Sequence, residues 1–126
     1  MKRLALAVLV FIQPQEQPPP KSLPLDSIPA IYQTWYADVA RCAGLKGDFS
    51  EITWRIVPGA GWYDWSNGGF VWGLWSAPHT IYLASAYASQ AWLVRHEMIH
   101  DLRQRGGHPS PPFHACEYAF VRPLTR

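Results

Sequence analysis

Apolar positions in "PAIYQTWYADVARCAGL" recur at Ile31, Trp35, Val39 and Cys42, and this spacing predicts a helix over Ala30–Ala43. Pro29 stands near its first turn and Gly44 is its stop. The period then changes. In "SEITWRIVPG", Ile52, Trp54 and Ile56 alternate with Thr53, Arg55 and Val57, a strand closed by Pro58-Gly59. "GAGWYDWSNGG" reads as a loop of turn residues, and Phe70–Trp75 and His79–Ala84 read as two further strands. "YASQAWLVRHEMIHDLRQRGG" returns to helical spacing. Ala91, Val94, Met98 and Leu102 form one apolar face of a helix over Ser89–Gln104, with Ser85 or Ser89 as its cap and Gly106-Gly107 as its end. Arg95 falls inside that apolar arc, and the pattern supplies no role for it. "PPFHACEYAF" predicts a last short helix with Pro111 or Pro112 in its first turn.

The order is helix, three strands, helix, loop, short helix. This is an α+β layout, a small sheet packed against helices. At 126 residues the chain is expected to form one small domain and to be a monomer. "MKRLALAVLVFIQPQEQPPP" opens with Lys2 and Arg3, then an apolar run from Leu4 to Ile12 that is too short to span a bilayer. This is the pattern of an export signal, although no small-x-small cleavage site follows Ile12. Residues 13–29 are Pro- and Gln-rich and read as extended chain. The expected division is a signal peptide over 1–17, a linker over 18–28 and a folded domain over 29–126, with the product periplasmic, in the cell envelope or secreted.

Composition narrows the classes. Apolar residues make up 48% and charged residues 16%, which excludes a disordered chain. Seven Trp and six Tyr exceed what so small a core can hide, so some are exposed or line a cleft. The net charge of +2 is scattered, without the basic stripe that tracks phosphates, and this argues against a nucleic-acid partner. The two cysteines, Cys42 and Cys116, are expected to pair in an exported chain; the alternative is two buried thiols. Closing so long a loop stabilises by about 4–5 kcal/mol in the chain-entropy model.

The chemistry concentrates in "VRHEMIHDLRQRGGHPSPPFHAC", which holds four of the five histidines. His96 and His100 stand one helical turn apart on one face, so both imidazoles can reach one ion. Glu97 lies about 100° around that helix, placed to take a proton from a metal-bound water. A catalytic zinc site needs three protein ligands and one open position. His108 is the favoured third ligand, because the chain turns back at Gly106-Gly107 and Pro109 fixes the backbone after it. His114, Glu117 and His79 are the alternatives. The plainer readings are a solvent-facing side chain for His114, a helix-surface charge for Glu117 and a structural or substrate-facing role for His79.

The segment "HEMIHDLRQRGGHPSPPF" resembles the active-site segment of zincin metallopeptidases. More narrowly it is similar to SprT-like metallopeptidases through His96, Glu97, His100, His108 and Phe113. The resemblance covers about a seventh of the chain. It implies a zincin-like fold, one Zn2+ ion, peptide-bond hydrolysis and Glu97 as general base. It also implies an upstream edge strand, Phe70–Trp75 or His79–Ala84, that holds substrate in extended form, with Trp72, Trp75 and Tyr82 near the cleft. Tyr87, Arg103 and His114 are candidate donors to an oxyanion. His108 and Phe113 are one residue further apart than the family pattern expects, and no C-terminal zinc ribbon follows. The metzincin pattern is not met, since Arg103 and Gly106 replace its Gly and His.

Three functions therefore compete: an exported zinc metallopeptidase acting on peptides or proteins, a non-catalytic metal-binding module, and a disulfide-stapled envelope domain that binds through its Trp-rich surface. Glu97 favours the first over the second, because a structural metal site has no use for a carboxylate there.

Overall fold

The computed structural model describes residues 19–118 together with Ala5 and Ala7. The signal-peptide reading of 1–17 therefore lies almost wholly outside the described residues. What is described is a small α+β domain with three helices and a mixed sheet. Among the described residues, no helix is long and apolar enough to cross a membrane.

Helix α1 (Ala30–Ala43) has the predicted bounds, and Gly44 ends it in the left-handed conformation at φ 66°, where a missing Cβ removes the steric cost. Its buried face is turned from the predicted one and shares Val39 with it, while Trp35 packs at the margin of the core. Tyr32, Tyr36 and Val39 are buried, whereas Ile31 is 46% exposed. Both stripes have helical spacing and share Val39, and the one whose two rings meet aromatic partners across the core is buried. Tyr32 packs on Trp54 with centroids 4.8 Å apart, Tyr36 on Phe49 at 5.5 Å, and the Tyr32 hydroxyl donates to the Ala88 carbonyl.

The main sheet has the order β1-β2-β6-β5. Strand β1 (Leu23–Pro24) lies in the segment expected to be an unpaired linker. It is extended as expected, but it pairs antiparallel with β2 (Thr53–Val57) through Leu23 opposite Ile56. A proline is tolerated there because β1 is an edge. Strand β2 runs parallel to β6 (Thr80–Ala84), and β6 runs antiparallel to β5 (Gly73–Ser76), which forms the other edge. Parallel neighbours require a crossover, and residues 58–79 provide it.

That crossover corrects two expectations. "GAGWYDWSNGG" is a β-hairpin as well as a loop: β3 (Trp62–Asp64) pairs with β4 (Gly69–Val71) in a separate two-stranded sheet. The buried Asp64 carboxylate nucleates the turn by accepting from the Ser66 amide and hydroxyl, and Gly68 supplies the positive φ of 70°. The expected single strand Phe70–Trp75 is broken at Trp72, so β4 belongs to the hairpin and β5 to the main sheet.

Helix α2 (Ala91–Arg103) is shorter at both ends than predicted, and Gln90, not a serine, stands at its cap. Ser85 instead bonds to Gly59. Val94, Met98 and Leu102 are buried as predicted; Leu93 and Ile99 extend the buried surface on either side. Arg95 lies over the Trp35 ring at 5.4 Å and donates to the Glu117 carbonyl, so an aromatic face and a helix end absorb it. The last helix, α3 (Ala115–Tyr118), begins after Pro111 and Pro112. Cys116 joins it to Cys42 of α1 through a disulfide with a Cα–Cα distance of 5.8 Å.

Candidate metal centre

Helix α2 and the turn after it bring His96, His100 and His108 together, and each offers one ring nitrogen to a common point. His108 Nε2 stands 3.2 Å from His96 Nε2 and 3.2 Å from His100 Nε2. The helix supplies the first two by its four-residue spacing. The third returns because Gln104 ends α2 in the left-handed conformation and Gly107 takes a φ of 76°. Phe113 packs below all three rings, with centroid distances of 5.0, 4.7 and 5.1 Å.

The other ring nitrogens decide what this cluster can hold. His96 Nδ1 lies 2.6 Å from Glu117 Oε1, and His100 Nδ1 lies 2.9 Å from the Arg105 carbonyl oxygen. Both oxygens only accept, so both Nδ1 atoms carry the proton and both Nε2 atoms present bare lone pairs. Two bare lone pairs then converge on a third imidazole nitrogen, an arrangement a cation resolves. Three nitrogens about 2.0–2.1 Å from one tetrahedral zinc stand about 3.3–3.4 Å apart, close to the edges found here. The residues present therefore fit a metal ion. Burial lowers the His96 pKa and pushes His100 down to about 4, which keeps both rings neutral as ligation requires.

Glu97 is 4% exposed and lines the same cleft, a cavity of about 310 Å³ also bounded by Asn67, Val71, Gly73, Trp75 and Gly107. Burial and the nearby Glu117 carboxylate push its pKa up to about 8, against a hydrogen bond from the Trp75 backbone amide. A cation held by the three histidines would act in the opposite sense. Gly73 suits this packing: a Cβ there would stand 3.1 Å from both Glu97 Cγ and Oε1, so the carboxylate side chain would have to give way.

Of the alternative ligands, His114 is exposed and packs on Tyr118 at 5.5 Å, away from the cluster. Glu117, expected as a surface charge, is 9% exposed and orients His96. His79 bridges Asp101 and Glu51, at 3.0 Å from each. Trp75 is in the cleft wall, stacked beside His100 and donating from its indole nitrogen to the buried Asp101. Tyr82, on β6, and Trp72, which packs on Trp92 and Tyr87, do not line this cleft. Tyr87 lies in that aromatic cluster and Arg103 over the Phe113 ring, so neither lines it.

The sequence pattern missed the roles of Glu117, Asp101 and the hairpin residues Asn67 and Val71. The one available signal was that Glu117 follows Cys116, whose pairing with Cys42 forces that segment against the helices. A scan against protein-family models, a search of curated proteins and a search of solved structures each return no match to this chain.

Proposed function

We propose that the chain is an exported zinc-dependent metallopeptidase of zincin type, similar at its active-site segment to SprT-like enzymes. The observation that carries this reading is the convergence of three imidazole nitrogens beside a buried glutamate in one cleft, next to the exposed edge of a sheet. His96, His100 and His108 would hold the ion. When bound, zinc supplies a Lewis acid that acidifies water and polarises a carbonyl.

The remaining work falls to the chain. Glu97 takes the proton of the attacking water on a carboxylate oxygen and returns it to the departing amine nitrogen. Strand β5 orients the substrate. Ala84 donates to the Trp72 carbonyl across the β5–β6 ladder, so the alternation of an antiparallel pair turns the main-chain groups of Gly73 and Trp75 away from β6. The Trp75 amide on that side already donates to Glu97, so an extended peptide would add there through the remaining main-chain groups of Gly73 and the Trp75 carbonyl. Gly73 and Gly107 allow close backbone approach, and Trp75 forms the wall beside His100. The disulfide suits an oxidising compartment, which supports the exported reading.

The test pairs metal content with activity. Wild-type chain is expected to carry about one zinc and to cleave unstructured peptide, and Glu97→Gln to keep the zinc and lose cleavage by about 10²–10⁴-fold. A folded wild type that takes up no zinc, or a Glu97→Gln chain that cleaves as fast as wild type, sinks the proposal.

A further inference from the structure

The hydrogen bond to the far nitrogen of His96 arrives through one short segment. Glu117 Oε1 accepts from His96 Nδ1 at 2.6 Å, and Glu117 stands on the four-residue helix α3. The Glu117 carbonyl accepts from Arg95, which reaches across from α2 and also covers Trp35 on α1. Phe113, just before α3, packs on all three imidazoles. A helix of four residues has no stability of its own, far below the about 12–15 residues at which isolated helices become marginal. Its one covalent anchor is Cys116, the neighbour of Glu117, tied to Cys42 across 74 residues of sequence.

We infer that Glu117 is a positioning residue of the metal centre and that the Cys42–Cys116 disulfide holds it in place, so that full metal affinity belongs to the disulfide-bonded chain. This rests on the reading that the three histidines hold a metal ion. A carboxylate on the far nitrogen of a ligating imidazole fixes its tautomer, aims the ring and makes the ligating nitrogen more basic. Here it does all three for His96, the ligand not held by its own helix end: His100 has the Arg105 carbonyl for the same purpose, only five residues away. His96 depends on a partner 21 residues distant in sequence, and that partner depends on the disulfide.

The full-length chain is titrated with Zn2+ against a competing chelator, and Co2+ absorption is recorded as a report on ligand geometry. Wild type, Glu117→Gln, the pair Cys42→Ser/Cys116→Ser, and the combination of all three substitutions are compared. Glu117→Gln is expected to lose about 10–100-fold in zinc affinity, the range typical of such outer partners, with an altered Co2+ spectrum and an unchanged melting temperature without metal. The serine pair is expected to lose at least as much. The combination is expected to add little to it, because both act through His96. Wild type that binds zinc while Glu117→Gln binds it within twofold as tightly overturns this inference and leaves the three-histidine site standing. Additive losses in the combination overturn the link to the disulfide. Wild type that binds no zinc overturns the histidine reading itself. If the serine pair does not fold, Glu117→Gln against wild type still decides the role of Glu117.

Discussion

Gly73 and Glu97 share a contact too tight for a methyl group unless a side chain gives way: an added Cβ would lie 3.1 Å from Glu97 Cγ, Glu97 Oε1 and Leu93 Cδ1. The carboxylate is the softer neighbour and must move. Gly73→Ala is therefore expected to keep zinc stoichiometry and, under the proposed function, to lower peptide cleavage by less than the about 10²-fold of a full ångström's misplacement, since a few tenths of an ångström relieve the contact. Steady-state kinetics with metal analysis checks this. Unchanged cleavage with a folded, metal-loaded variant would remove Glu97 from the reaction geometry.

Acidity in the metal-free chain gives a second prediction. The folded pKa of Glu97, about 8, is raised above its ordinary value of 4.5, so its contribution is fully present below pH 4.5 and is lost as pH rises towards 8. His100 runs the other way: its folded pKa of about 4 lies below the ordinary 6.5, so its contribution is present above pH 6.5 and is lost as pH falls towards 4. Metal-free Glu97→Gln removes only the first effect. It is expected to melt above metal-free wild type at pH 8.5, and the difference is expected to shrink as pH falls to 5. Thermal melts in chelator at the two pH values measure it. A gap that grows at pH 5 contradicts the assignment.

The choice of third ligand is tested by a pair of histidines. His108→Ala is expected to weaken zinc binding by more than the about 10–100-fold of an outer partner. His114→Ala, at an exposed ring packed on Tyr118, is expected to leave it unchanged. Competition titrations compare them. Retained affinity in His108→Ala would show that His96 and His100 recruit another group.

Much of this site was legible because local spacing carries it. His96, Glu97 and His100 follow from helical period alone, and the Gly106-Gly107 stop gave the return of His108. The bounds of α1 were legible from Pro29 and Gly44, but its buried face only at Val39: Ile31–Trp35 and Tyr32–Tyr36 are one residue apart, and the Trp54 and Phe49 rings across the core select between them. The hairpin was hidden because "GAGWYDWSNGG" is rich in turn residues, and its register depends on the buried Asp64 bonding within the turn. Glu117 was hidden for a different reason. Its partner lies 21 residues away, and no spacing rule joins a helix face to a segment anchored by a distant disulfide.

Asp101 gives a stability prediction. Its buried carboxylate accepts from the Trp75 indole and meets His79 Nδ1 at 3.0 Å, and that indole stacks beside His100. Asp101→Ala strands these partners and is expected to cost about 1–3 kcal/mol, with a shift in tryptophan emission as Trp75 is released. Chemical denaturation followed by fluorescence measures both. A loss near zero would mean that water replaces the carboxylate without cost.

The β3–β4 hairpin forms a sheet of its own, outside the β1-β2-β6-β5 ladder, yet it contributes Asn67 and Val71 to the cleft. This part of the cleft wall is thus structurally separate from the frame that carries the histidines. Substitutions in the hairpin can therefore reshape the cleft while the histidine-bearing helix and its sheet stay as they are, so under the proposed function selectivity and chemistry rest on separable parts of the fold.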